Sequence, residues 1–302
     1  MQLLDRTIAA LDGATNALLN EQPLDAGNFL GPQLTEIFSE AQANGAADWL
    51  LKTVADHEVF QYLMQDPYTR RAFEKPRGYA GDAIMLDYIY RPSSSGLEGP
   101  AKTGHQVTTQ GSTGLSIKFR RTLLSAYLNQ VSSTVKKARI LSVASGHCRE
   151  LDDWTNFDNG VEFVALDQDG ESCEYVKKCY QADWLTVKQE SIKKLLKPKF
   201  DIGTFDYIYS AGLYDYLSES IAGALTKNLI ERLKPGGTLL IANFVPTAAG
   251  RAYMELVMQW TLEWRTKEQL VAIFPSDARD SVSVFLDPHE NVAYATWKKP
   301  AP

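Results

Sequence analysis

Small residues follow one apolar run of the sequence, and an acid ends the next apolar run. The segment ILSVASGHCRE, residues 140–150, passes from apolar residues into Ala144, Ser145 and Gly146. Such residues let a backbone approach a ligand closely, and amides at the start of a following helix favour an anion. Asp167 lies 21 residues after Gly146, where an acid can bind two ribose hydroxyls. The pattern indicates a nucleoside ligand, with an ordinary turn and a helix-capping Asp167 as the alternative.

A second candidate site precedes this one in the sequence, at KPRGYAGD, residues 75–82. Pro76 disfavours helix at Lys75, and the two glycines permit backbone conformations that residues with a Cβ avoid. These features would hold three functional side chains on a defined loop: Arg77, Tyr79 and Asp82. The alternative is a connection between helices, with solvated arginines and core tyrosines.

Two kinds of hydrophobic pattern position these segments. Up to about residue 130 the apolar residues recur every three or four positions, which predicts helices. From about residue 137, short β-rich runs alternate with helical stretches, which predicts a parallel sheet with crossover helices. Only residues 288–290 separate the last two runs, which predicts an antiparallel hairpin at the sheet edge. We therefore expect a helical domain at 1–130 and an α/β domain at 131–302, with a mobile loop at the Gly-, Pro- and Ser-rich residues 91–104.

The composition limits the class of protein. The 302 residues are 44% hydrophobic, which excludes a disordered regulator, and Lys+Arg 31 against Asp+Glu 37 give a net charge of -6. No overall cationic field favours nucleic acid or an anionic membrane, so we expect neither as a partner. The three cysteines form no metal-binding or disulfide pattern, and no apolar run is long enough for a membrane span. We expect a cytoplasmic protein without a metal centre.

The turn at 144–146, followed by a strand ending in Asp167, resembles motif I of class I S-adenosylmethionine (SAM) dependent methyltransferases. FDYIYSAGLYDYLSE, residues 205–219, is similar to the fourth strand and following loop of that family, and LKPGGTLLIANF, residues 233–244, to the turn into its fifth strand. The resemblance covers about residues 137–302. It implies an α/β fold with a Rossmann-like sheet of order 3-2-1-4-5-7-6, strand 7 antiparallel, and SAM as the cofactor, released as S-adenosylhomocysteine.

By position, this resemblance assigns the cofactor contacts. The turn should lie against the methionine part of SAM, Asp167 should hold the ribose, and Gln168 should flank the adenine. The segment after the third strand should lie near the adenine amino group, and the loop after the fourth strand should border the transferred methyl group. The cofactor residues predicted in this way are Ala144, Ser145, Gly146, Asp167, Gln168, Glu190, Ser191, Ile192, Ser210, Ala211, Gly212 and Leu213. From the N-terminal loop, which lies outside this resemblance, we also expect Tyr79 and Asp82 to contact the cofactor.

A narrower resemblance rests on KPRGYAGD, FDYIYSAGLYDYL and WTLEWRT, residues 260–266. Together they are similar to bacterial methyltransferases related to PhcB, which are associated with forming methyl esters of 3-hydroxy fatty acids. This resemblance implies a small or fatty carboxylic acid as the acceptor. Such an acid is already ionised at pH 7, so its methylation needs no general base, only groups that position the anion. We expect catalytic roles for Tyr214, Arg77 and Arg265, and acceptor binding by Arg120, Asn243, Phe244, Arg251 and Trp260.

Two other functions remain open from the sequence. The protein could methylate an oxygen or nitrogen of another small metabolite, with a Tyr, His or Asp as general base. It could instead bind SAM without catalysing methyl transfer. A homodimer is compatible with each of these functions.

Overall fold

The computed structural model describes residues 2–197 and 200–301, which form two compact units. The first unit comprises Met1–Lys118 and Thr247–Thr261, and the second comprises Phe119–Pro246 and Leu262–Pro302. The sequence predicted one boundary near residue 130, whereas the chain also returns to the first unit at 247–261. The chain leaves the first unit for the second after Lys118, inside one continuous helix, Ser112–Thr134. No break in the hydrophobic pattern therefore marks this boundary.

The first unit is helical, as the three- and four-residue periodicity predicts. A π-helical turn, Phe29–Gln33, follows its second helix. Gly13 admits the ring of Phe29, because a Cβ at Gly13 would lie 2.5 Å from two ring carbons. The α-helices from the start of the first unit to the helix that contains the unit boundary are α1 (Leu3–Leu19), α2 (Pro23–Asn28), α3 (Leu34–Ala43), α4 (Ala47–Asp56), α5 (Val59–Leu63), α6 (Pro67–Glu74), α7 (Ala83–Tyr90), α8 (Gly99–Gln110) and α9 (Ser112–Thr134).

The expected loop at 91–104 is wrong in its second half, because α8 begins at Gly99. Pro100 lies in the first turn of this helix, where its fixed φ and missing N–H are tolerated. Thr103 and His105 are buried, so tertiary packing stabilises a segment whose composition predicts a loop.

The second unit contains a seven-stranded sheet of order β3-β2-β1-β4-β5-β7-β6, which confirms the predicted order. Strand β7 is antiparallel to β5 and forms the predicted hairpin with β6. Leu141 of β1 pairs with Val164 of β2 and with Ile208 of β4. The strands are β1 (Arg139–Val143), β2 (Glu162–Asp167), β3 (Leu185–Gln189), β4 (Phe205–Ser210), β5 (Leu233–Phe244), β6 (Ser283–Leu286) and β7 (Val292–Lys298).

Helices connect these strands, and apolar side chains of sheet and helices form a continuous core. The remaining helices are α10 (Gly170–Cys179), α11 (Ile192–Leu195), α12 (Glu219–Glu231), α13 (Arg251–Leu256, in the first unit) and α14 (Lys267–Ala272). The sequence predicted a helix directly after the turn at 144–146, but the structure has a short 3₁₀ helix there, Arg149–Asp153. Across residues 2–197 and 200–301, no helix is both long and apolar enough to cross a membrane.

Candidate active site

The turn after β1 is built from residues in left-handed backbone conformations. Ala144, Gly146 and Cys148 have φ of 56°, 53° and 51°. Such angles reverse the chain sharply, and they cost strain at residues that carry a Cβ. The Gly146 amide donates to Asp167 Oδ2 at 2.7 Å, and the Ser145 amide donates to the Leu166 carbonyl at 3.2 Å. The turn is therefore fastened to the end of β2, as the sequence spacing requires.

Asp167 ends β2 and is 8% exposed. Its carboxylate accepts from the amides of Gly146 and Asp169, at 2.7 and 2.9 Å. Burial raises the pKa of Asp167 above its ordinary value, and these amide hydrogen bonds oppose the shift. A carboxylate offers about four lone-pair sites, so the backbone donors leave room for a further hydroxyl donor. The arrangement fits a ribose, and the neighbouring Gln168 is exposed.

The segment after β3 lies beside the same end of β2. The Glu190 amide donates to the Asp167 carbonyl at 2.8 Å, and its carboxylate forms a 3.5 Å ion pair with Lys194. Ser191 caps α11, since its hydroxyl accepts from the Lys193 amide at 3.3 Å. Ile192 is the first residue of that helix. Of the three predicted adenine neighbours, Glu190 is therefore hydrogen-bonded to Asp167 and the other two follow it in the chain. The side chains of Glu190 and Ser191 already have partners within the protein.

The loop after β4 begins next to β1. The Ser210 hydroxyl donates to the Val143 carbonyl at 3.0 Å, while Gly212 is exposed. Arg120 of α9 is 5% exposed and donates from Nη1 to the Ala211 carbonyl at 2.6 Å. Leu213 packs against the core of the unit. The structure thus brings a buried arginine to the loop that the sequence assigned to the transferred methyl group.

Two residues predicted to be catalytic form part of the protein interior instead. Tyr214 is fully buried, and its hydroxyl lies 2.9 Å from Thr226 Oγ1. The Arg265 guanidinium donates to the Tyr214 carbonyl at 2.8 Å, to Asn243 Oδ1 at 2.7 Å and to the Leu217 carbonyl. These contacts do not fit the predicted catalytic roles, because the polar groups of both side chains are used to fasten the loop after β4.

Asn243 and Phe244, predicted to bind the acceptor, belong to the same buried network. Asn243 is fully buried and donates from Nδ2 to the carbonyls of Phe244 and Glu263, at 2.9 and 2.8 Å. Phe244 is 4% exposed and packs edge-on against Trp264. The Asn243 amide group therefore holds strand β5 to the following segment, which does not fit direct acceptor binding.

Two buried acids at these loops were not singled out from the sequence. Glu150 is 8% exposed and accepts from the Tyr209 hydroxyl, and burial raises its pKa. Asp215 is 4% exposed and accepts from the Phe244 amide at 2.7 Å through Oδ1. Burial raises the pKa of Asp215 to about 6, although Arg120 and Arg265 lower it in part. The only sequence signal for either acid is its position directly after a glycine-containing loop.

The other predicted site residues lie in the first unit. Asp82 is 2% exposed, is held by Arg71 through contacts of 2.9 and 2.6 Å, and caps α7 by accepting from the Met85 amide. This engagement does not fit the predicted cofactor role of Asp82. Arg77 and Tyr79 are half-buried, Arg251 forms a 2.8 Å ion pair with Glu255, and Trp260 is 7% exposed.

Comparisons with known proteins support the class of domain. A sequence family described as a methyltransferase domain matches residues 141–241. A solved structure from Bordetella parapertussis, described as a possible exported protein, is 15% identical, covers 100% of this chain and 98% of its own, and has a TM-score of 0.59. At that identity the likeness shows the fold alone. The N-methyltransferase NodS from Bradyrhizobium japonicum WM9, solved with S-adenosylhomocysteine, is 12% identical over 61% of this chain and 87% of its own, with a TM-score of 0.44. No curated protein sequence matches the chain.

The fold, the strand order and the family match agree with the resemblance found in the sequence. The second unit has the Rossmann-like class I methyltransferase sheet. The matched residues 141–241 contain the turn after β1, Asp167 and the loop after β4. The cofactor of this domain is SAM.

Proposed function

We propose that the protein is a SAM-dependent O-methyltransferase that converts a small or fatty carboxylic acid to its methyl ester. The observation that carries this proposal is Arg120, a buried cation whose guanidinium contacts the loop after β4. Guanidinium groups bind carboxylates through paired hydrogen bonds, and they stay charged at every physiological pH. A buried arginine at this loop supports an anionic acceptor most strongly when Asp215 is protonated, because Glu150 and Asp215 otherwise balance the charges of Arg120 and Arg265.

Cofactor binding in this proposal rests on the turn after β1 and the end of β2. The carboxylate of Asp167 keeps acceptor capacity beyond its backbone donors, which suits a ribose hydroxyl. The tight turn at Gly146 lets the backbone approach the methionine part. When bound, SAM supplies a methyl group on a cationic sulfur that is open to in-line attack. The chain's own task is to orient an acceptor oxygen and to keep water away.

Incubation with methyl-labelled SAM and a panel of acids tests the proposal. The expected product is a methyl ester, whose label is released by mild base. Label found only in base-stable ethers or amines would reject the carboxyl specificity, and SAM binding without turnover on the whole panel would favour a binding protein.

Arg120 can be tested within the same assay. Arg120→Gln removes the charge and should raise the KM for the acid at least tenfold, because charge-assisted hydrogen bonds contribute about 1.5–3 kcal/mol each. Arg120→Lys keeps the charge but loses the paired geometry, and it serves as the matched control with an intermediate KM. An unchanged KM in the glutamine variant would remove Arg120 from the acceptor site.

Asp215 favours a second candidate function, base-assisted methylation of an alcohol, phenol or amine. Its pKa of about 6 suits a general base near neutral pH, and its Oδ1 is fixed by the Phe244 amide at the end of β5. In that case kcat should decrease as the pH is lowered through about 6, because Asp215 then becomes protonated. Asp215→Asn should then abolish the pH dependence together with most of the activity.

A further inference from the structure

The first unit contains a cavity that the methyltransferase site does not use. Its volume is about 180 Å³. The π-helical turn forms one side, through Leu30, Gly31 and Pro32. Helix α13 forms another, through Tyr253 and Met254. A cavity of about 150 Å³ in another protein binds benzene, so this one admits a single ring or a short aliphatic group.

The cavity lining is mainly apolar, but two of its residues, Tyr253 and Thr108, belong to a hydrogen-bond network whose direction is set by the buried carboxylate of Asp66. Asp66 is fully buried and accepts from the amides of Tyr68 and Thr69, each at 3.1 Å. Asp66 Oδ1 also lies 2.8 Å from His105 Nδ1, and Oδ2 lies 2.7 Å from Thr69 Oγ1 and 3.0 Å from Thr108 Oγ1. Two amide donors, one on each oxygen, require Asp66 to act as an acceptor.

Two residues that line the cavity, Tyr253 and Thr108, carry hydroxyls that must therefore donate toward the protein. Thr69 gives its proton to Asp66, so the Tyr253 hydroxyl, 2.8 Å from Thr69 Oγ1, donates to Thr69. The three neighbours of Thr108 Oγ1 are Asp66 Oδ2 and the carbonyls of Gly104 and His105, which are all acceptors. Burial and the charge of Asp66 raise the pKa of Tyr253, so its hydroxyl keeps its proton at neutral pH. The oxygens of Tyr253 and Thr108 are left with lone pairs only.

We infer that this cavity is a binding site for a small apolar compound, or an apolar group of a larger one, that carries a hydroxyl and donates it to Tyr253 or Thr108. A group without a donor leaves the buried lone pairs unmatched, and an oxygen without a proton faces them with its own lone pairs. The site does not depend on the carboxyl specificity proposed above, since it uses none of the same residues.

Phenol, toluene and anisole are the probes, because they share one ring and differ in the donor. Titration calorimetry of the full chain should give saturable binding of phenol, with toluene and anisole each weaker by about tenfold, the worth of one hydrogen bond. Equal affinity for the three compounds, or no saturable binding of phenol, would overturn the inference.

Variants locate the effect at these two hydroxyls. Because phenol has one proton to donate, the variant that removes its acceptor, either Tyr253→Phe or Thr108→Val, should lower the phenol-to-toluene affinity ratio toward one while leaving toluene binding unchanged, which loss of folding would not do. Thr109→Val is the matched control, because the Thr109 hydroxyl donates to the His105 carbonyl at 2.6 Å and Thr109 does not line the cavity. A ratio that survives in both Tyr253→Phe and Thr108→Val would overturn the assignment.

Discussion

Replacing Asp215 by asparagine should change how the stability of the protein depends on pH. Asp215 is 4% exposed, and burial raises its pKa from 3.8 to about 6. The folded protein therefore holds a proton on this carboxyl over a pH range in which the unfolded chain has already released it. Because the folded state binds more protons there, the free energy of unfolding falls as the pH rises from about 4 to about 6.

The size of the effect follows from the shift. A shift from 3.8 to about 6 is roughly two units, which corresponds to about 3 kcal/mol at 1.36 kcal/mol per unit. Asparagine has nearly the same shape and can still accept from the Phe244 amide, which lies 2.7 Å from Asp215 Oδ1. It carries no charge at any pH, so the variant lacks this contribution.

Urea unfolding of both proteins at pH 4, 5, 6, 7 and 8 measures the effect. The quantity of interest is the free energy of unfolding of Asp215→Asn minus that of the original protein, in which the other titrating groups cancel. This difference should rise by about 2.4 kcal/mol between pH 4 and pH 7, slightly less than the full value of about 3 kcal/mol because the unfolded carboxyl is already partly ionised at pH 4. Asp56→Asn, at an exposed position, controls for replacing a carboxylate by an amide. A difference that stays constant or falls over this range would refute the reasoning.

Three further changes have defined outcomes. Asp167→Ala should weaken SAM binding about 100-fold by calorimetry, since it removes the hydrogen bonding of the ribose to a carboxylate, and unchanged affinity would contradict the ribose assignment. Ala144→Gly should stabilise the protein by about 1 kcal/mol by relieving a left-handed backbone at φ 56°, whereas Gly146→Ala, at φ 53°, should destabilise it by a similar amount; equal effects in thermal unfolding would argue against strain. Asp82→Ala should cost about 3 kcal/mol in urea unfolding because it leaves a partly buried arginine without its carboxylate, while Asp48→Ala, at an exposed position, should cost little; similar losses would contradict this role.

The sequence predicted the strand order and the terminal hairpin because these follow from local patterns. Strand β7 must be antiparallel to β6, since only residues 287–291 separate them. The return of 247–261 to the helical unit could not be predicted in the same way. That segment has a helical pattern like many others, and its partners, such as the Thr35 hydroxyl that donates to the Ala249 carbonyl, are distant in the sequence.

The candidate site was predictable where the backbone decides the geometry and not where side-chain direction does. The turn at Gly146 and the acid at Asp167 are joined because parallel neighbouring strands end at one edge. Tyr214 and Asp215 are adjacent in the sequence, and nothing in their types shows that one fills the core while the other reaches the end of β5. The sequence predicts a catalytic role for Arg265, but nothing in its type shows that its donors satisfy buried carbonyls.

The pH dependence of KM and kcat should distinguish the two candidate functions, because the charges around the loop after β4 change with pH. Arg120, Arg265, Glu150 and Asp215 are all between 4% and 8% exposed, and Arg120 interacts electrostatically with both acids. With both acids ionised the four charges cancel, and protonation of Asp215 below about pH 6 leaves a net positive charge. An anionic acceptor should then bind more tightly, so the KM of a carboxyl methyltransferase falls as the pH is lowered from 7 to 5.5. A base-assisted enzyme loses its base over the same range, so its kcat falls instead.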